Sequence, residues 1–244
     1  MWRGGPVRRG ALAAAAIVVL AVAAGLGGYL YFFSGLRESP GTLTLSPSPQ
    51  DSTTPLANLS GRWQVAAGSS PRVGYRVREQ FVNESSASEA VARTGDLSGG
   101  LTVRDSGADL RAGDVLFTVQ LSRLRSVDTV AGRDVSQRDA LVQRALDVAR
   151  YPVATFQAGS LTLPRALRRQ GAVVDFDVPG TLSIHGVSRH ARLHLQGKLA
   201  GGRFQVAGST QIAMDDFGVM PPAAPFVAVD PAVTLELLAT LRKT

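Results

Sequence analysis

From Gly61 to the C-terminus the chain alternates between apolar and polar side chains. Val73, Tyr75, Val77, Glu79 and Phe81 alternate with Gly74, Arg76, Arg78 and Gln80. Val115, Phe117, Val119 and Leu121 are spaced in the same way, as are Val174, Phe176, Val178, Leu182 and Ile184. The pattern returns through Ala191, Leu193, Leu195, Gly197 and Leu199, through Phe204, Val206, Gly208, Thr210 and Ile212, and through Val233 to Leu241. A period of two gives each segment one apolar face, the pattern of antiparallel strands with one side wet. Weaker candidates around Trp63, Leu101 and Phe156 bring the count to about eight strands. Turns are expected at Ser98-Gly99-Gly100, Gly186-Val187-Ser188 and Gly201-Gly202. Strands in this number bury their apolar faces by pairing as a sandwich or by closing as a barrel.

One stretch departs from the period. In VSQRDALVQRALDVARYP, residues 135–152, the apolar side chains fall at Leu141, Val142, Ala145, Leu146, Val148 and Ala149. That is helical spacing. Ser136 with Asp139 three residues on resembles a capping box, and Tyr151-Pro152 is the expected stop. The helix would lie against an end or flank of the β structure.

The N-terminal part is of another kind. Residues 1–10 carry Arg3, Arg8 and Arg9, and Ala11 to Phe33 is an uncharged apolar run. As a helix it would be about 34 Å long, enough for a bilayer core of about 30 Å. The arginines before it place the N-terminus in the cytoplasm and the rest of the chain outside. The run is longer than the roughly 7–15 apolar residues of a signal peptide, so an uncleaved anchor is expected. Secretion after cleavage near Ala21–Ala24 is the alternative. Residues 34–60 are rich in Pro, Ser and Thr and read as a linker, leaving 61–244 as the folded domain.

The chain has no cysteine, which excludes disulfides, thiolate metal sites and lipid attachment through a lipobox cysteine. The net charge of +7 is carried almost entirely by scattered arginines, without interleaved aromatics, so nucleic acid is not an expected partner. His185, His190 and His194 are the three histidines. On a strand His190 and His194 share the wet face about 13 Å apart, too far for one metal ion. No G-x-S-x-G elbow or P-loop is present, and Asp216-Phe217-Gly218 lacks every other kinase element. No catalytic residue, metal or cofactor is therefore expected. Glu79 has the inward parity of its strand. A buried carboxylate needs a partner, so Glu79 either pairs with an arginine or backbone amide or orients a ligand in an apolar cavity.

Several stretches resemble the YceI-like domain family: GTLSIHGVSRHARLHL, SQRDALVQRALDVARYPVATFQ, VGYRVREQF and STQIAMDDFGVMPP. The resemblance runs in order from about Leu59 to Leu241. It implies an eight-stranded, lipocalin-like antiparallel β-barrel with one helix in a long connection. It also implies that a long isoprenoid lipid, a quinone or polyprenyl chain, is held inside. Family members are mostly exported bacterial proteins, and here the domain would be tethered at the cell membrane. Many members carry a histidine near the position of Glu79, so headgroup contacts do not transfer. The candidate lining comprises Tyr75, Val77, Glu79 and Phe81, then Phe117, Val119, Phe156 and Phe176, then Leu182, Ile184, Phe204 and Val206. The rival reading fills the barrel with these same side chains and makes its outer face a docking surface in the cell envelope. An enzyme using Glu79 or a histidine ranks behind both, since no second convergent group is in view.

Overall fold

The computed structural model describes residues 39–46, 57–82, 87–129, 136–221 and 227–244, with 136 and 137 as backbone only. The expected 11–33 helix lies outside the described residues, as do 34–38 and 47–56 of the linker. No helix among the described residues is long and apolar enough to cross a membrane. Ser39–Asp128 and Val135–Thr244 make up one compact unit.

In chain order the strands are β1 (Gly61–Val65), β2 (Arg72–Phe81), β3 (Ser88–Thr94), β4 (Leu97–Asp105), β5 (Leu110–Gln120) and β6 (Arg125–Ser126). After the helix α1 (Ser136–Ala145) come β7 (Val153–Ala158), β8 (Leu161–Thr162), β9 (Val173–Ile184), β10 (Val187–Ala200), β11 (Arg203–Ala213) and β12 (Val227–Lys243). All the strand pairings are antiparallel. The order β1-β4-β5-β7-β9-β10-β11-β12 returns to β1, closing an eight-membered barrel. β12 makes this closure possible by its length. It pairs with β1 at Leu241–Lys243 and with β2 between Val227 and Leu238, so β1 and β2 lie end to end along it. β3 and β4 continue each other in the same way on the far side of β2 and β1.

β12 tolerates its internal proline because the register slips there. The shift falls between Val229 and Val233, around Asp230-Pro231. Ala232 N–H is taken up by the Asp230 carboxylate at 2.8 Å, and the Pro231 carbonyl accepts from Met214 N at 2.9 Å. Proline, which has no N–H to donate, is accommodated at such a bulge.

Four local expectations are corrected. Ser98-Gly99-Gly100 is no turn but lies inside β4. A Cβ on Gly99 would fall 2.1 Å from the Leu116 carbonyl oxygen, so glycine there serves a close approach of strands. The β9–β10 turn is His185-Gly186, one step earlier than expected, with φ of 53° and 74°. Two positive φ values are what a two-residue type I′ hairpin needs. The helix ends at Ala145, well before Pro152. Asp147 takes a left-handed φ of 44°, and Val148 N–H donates back to the Gln143 carbonyl at 3.1 Å. That is a Schellman-like stop with aspartate where glycine is usual. Asp139 does not close a capping box either, since its Oδ1 accepts from Ser126 N and Oγ at 2.8 and 2.7 Å.

Within the 34–60 segment, residues 39–46 lie along the outside of the barrel. Ser39 Oγ donates to the Glu89 carbonyl at one end, and the Ser46 carbonyl accepts from Lys198 Nζ at 2.8 Å at the other. Leu43 is buried, and Ala207 on the outer face of β11 is fully covered. Beneath this strap, Glu236 accepts from Arg76 Nε at 3.0 Å and from Arg93 Nε at 2.7 Å. Both arginines also donate to the Gly41 carbonyl. Arg76, expected on the wet face, is therefore buried.

Candidate functional site

The site is the space enclosed by the ring. Side chains that face each other across the ladders share a side of the sheet. Following the registers from Phe117↔Phe156 to Phe156↔Leu182, from Phe176↔Leu195 to Leu195↔Gly208, and from Gly208↔Leu237 on round to Leu235↔Tyr75 places one apolar set inside.

One end of the interior is packed solid. Leu110, Leu167, Leu199 and Leu241 have at most 1% of their surface accessible. Trp63 donates Nε1–H to the Leu59 carbonyl at 2.9 Å and meets Phe204 edge-on, 6.3 Å between ring centroids. Leu167 comes from a short 3-10 turn, Arg165–Arg168, held by the next residue. Arg168 grips Asp105 through Nε at 3.1 Å and Nη2 at 2.6 Å, and donates to the Gly107 and Asp109 carbonyls. The hydrogen bond from Arg168 holds the Asp105 carboxyl below its ordinary pKa against the effect of burial.

Further along the lumen the packing loosens. Tyr75, Phe117, Val119, Phe176, Leu235 and Leu237 face inward yet are only half-buried. In a closed ring, the accessible surface of an inward side chain faces the lumen. Val77, Phe156, Leu182, Ile184 and Val206 are buried in the same lining, and Phe204 is half-buried against the packed end. A smaller cluster of Val77, Ala90 and Val233 marks the other end, joined to the main core through Tyr75, Ile212, Met214 and Leu235.

That other end carries a charged group that sequence reasoning did not find. Arg138 of α1 donates from Nη2 to Asp128 Oδ2 at 2.8 Å and stands 3.9 Å from Glu79 Oε2. Glu79, only 7% exposed, thus has the arginine partner that one of the two sequence readings gave it. Burial alone would lower the Arg138 pKa, but the Asp128 hydrogen bond and the Glu79 charge outweigh it and the pKa is raised. Burial pushes the neighbouring Tyr75 hydroxyl up, with Arg138 opposing, so it stays protonated as a donor. Arg138 precedes Leu141, Val142 and Ala145 by three, four and seven residues, so an arginine within the apolar stripe of the helix was the signal that sequence reasoning passed over. Phe81 is buried at the end of β2.

The histidines separate. His194 Nδ1 lies 2.7 Å from Asp177 Oδ1 on the outer face, and this contact, ahead of Arg192, lowers the Asp177 pKa. His190 is exposed opposite Thr181. His185 is not a free surface residue. Its Nδ1 is 3.2 Å from the Phe217 carbonyl, and its ring meets Tyr151 at 5.0 Å.

Comparison with known proteins follows this architecture. Residues 63–241 match the family model of the YceI-like domain. The chain is similar to a polyisoprenoid binding domain from Saccharophagus degradans, at 17% identity over 75% of this chain and 98% of that one, with a TM-score of 0.54. It is also similar to BcnA of Burkholderia cenocepacia, at 15% identity over 70% and 95% of the two chains, TM-score 0.45. The YCEI protein of Campylobacter jejuni follows at 15% identity over 66% and 83%, TM-score 0.35. No curated protein sequence matches the chain. Because the matched stretch runs from Trp63 in the first strand of the barrel to Leu241 in the last, this chain belongs to the YceI-like domain family.

Proposed function

We propose that the barrel holds the apolar chain of an isoprenoid lipid, a quinone or polyprenyl species, in its lumen. The observation that carries this reading is the set of inward-facing side chains left half-buried between two packed ends, Phe117, Val119, Phe176, Leu235 and Leu237 among them. A water-filled space lined this way is costly, and ten methylenes moved into it gain roughly 8 kcal/mol gross, before association costs are subtracted. The similar domain from Saccharophagus degradans, a polyisoprenoid binding domain, supports the same reading. Glu79 and Arg138 neutralise each other at one end of the lumen, a pairing that suits a binding protein better than one using Glu79 as acid or base. The apolar run 11–33 would tether the domain on the outer side of the cell membrane.

The full chain purified from native membranes, extracted with solvent and analysed by mass spectrometry, should release an isoprenoid lipid. Its return should raise the melting temperature. If no such chain is extracted and added lipid leaves the melting temperature unchanged, the barrel is a filled scaffold. Protease added to intact spheroplasts should degrade the domain; protection would refute the outward orientation.

A further inference from the structure

The seam between β7 and β9 is as short as any in the wall. Thr155↔Ser183, Phe156↔Leu182 and Gln157↔Thr181 are its only pairs, whereas β9 and β10 pair without interruption from Lys198↔Val173 to Val187↔Ile184. The equally short β1–β12 seam is prolonged by β2 on the same strand. Beyond Gln157 the chain leaves β9 and pairs with β5 through β8, while β9 extends away past Gly180 and Pro179. Pro179 carries no N–H that a further ladder could use. An open groove of about 550 Å³ lies beside this divergence and runs across β9, bordered by residues 157–159, 179–181 and 190–192. Gln157, Thr181, His190 and Arg192 of this border have the outward parity of the sheet, and Ala158, Gly180 and Ala191 the inward parity. The inward three are all small. A Cβ on Gly180 would fall 2.5 Å from Phe156 Cζ, so the Phe156 ring closes the lumen side of the groove.

We infer that this groove is a side door, resting on the lipid-binding reading above, through which an isoprenoid chain passes between a bilayer and the lumen. Phe156 is its inner leaf. Among the described residues, both ends of the barrel are obstructed. One end is packed by Leu110, Leu167 and Leu199, and a chain threaded past the other would have to pass the buried charges of Arg138, Asp128 and Glu79. A door in the wall, set against a bilayer, would also spare the chain a passage through water, which costs about 0.8 kcal/mol per exposed methylene.

Gly159 offers a clean test. It borders the groove, a Cβ there meets nothing within 4 Å, and the chain has no cysteine of its own. Full-length protein with Gly159→Cys is modified with a bulky methanethiosulfonate, which a reductant removes. Transfer of menaquinone-4 to and from phosphatidylcholine vesicles is followed with time, together with the amount bound at equilibrium. Modification should slow uptake and release at least tenfold, leave equilibrium occupancy unchanged, and be undone by reduction. Unchanged rates would overturn the door. So would slowing by the same adduct on Val82→Cys, a residue 71% exposed just after β2. Failure of the unmodified chain to hold menaquinone-4 or undecaprenol at equilibrium is a separate outcome that removes the lipid-binding reading itself.

Discussion

Replacing Asp105 with Ala should open the packed end of the barrel. Asp105 sits at the end of β4, with its side chain 4% exposed, and Arg168 opposite is 7% exposed. The substitution leaves the Arg168 guanidinium buried with two carbonyls as its only acceptors. It also strips the backbone N–H groups of Leu59 and Gly107 of their acceptor. Breaking a buried pair from one side costs about 3–5 kcal/mol. The lower figure suits a site at a barrel end, where water can enter, and about 3 kcal/mol corresponds to a fall in Tm of about 6–12 °C for a domain of this size. Thermal unfolding followed by circular dichroism measures it directly. Asp109→Ala is the control: its ion pair with Arg165 is 3.8 Å long and exposed on both sides, and its loss should stay within about 0.5 kcal/mol. The Asp105 carboxyl has its folded pKa below the unfolded value, so its contribution is whole above about pH 4 and is lost as pH falls through the folded pKa. Asp105→Asn should therefore flatten part of the acid limb of the stability curve. If Asp105→Ala and Asp109→Ala destabilise equally, the clamp does not hold this end shut.

Leu43→Ala should loosen the strap, cost about 2 kcal/mol, and make residues 39–46 a new site of limited proteolysis. Gly186→Val forces a β-branched residue into a φ of 74° with its Cβ 2.5 Å from the Tyr151 ring, and should cost about 2 kcal/mol or more by denaturant unfolding. Leu235→Asn places an amide on the lumen wall. It should weaken menaquinone-4 binding about tenfold, near 1.4 kcal/mol, with an unchanged β-sheet spectrum. The Tyr75 pKa is raised on folding, so stability should fall as pH rises above about 10, where only the unfolded phenol ionises. Tyr75→Phe should remove that loss.

The alternation in β2, β5, β9, β11 and β12 is a local property. Each apolar residue reports only that its own strand has a dry side, and this was readable from spacing alone. It sufficed to put Tyr75, Phe117, Phe176 and Phe204 on the inner face and to set Glu79 among them. Which strand lies beside which is not local. That β1 and β2 share β12, and that β7 leaves β9 after three pairs, depends on closing one ring from segments far apart in the chain. The polar partners were hidden for a related reason. Pro40 and Gly41 serve Arg76 through their carbonyls, and every residue has a carbonyl. Arg138 reaches Glu79 across some sixty positions of sequence, from within the apolar stripe of a helix whose spacing does not say what that stripe will meet. Side-chain periodicity thus decided the faces of the strands, while the backbone groups and charges, which carry no periodic signal, found their partners only once the ring had closed.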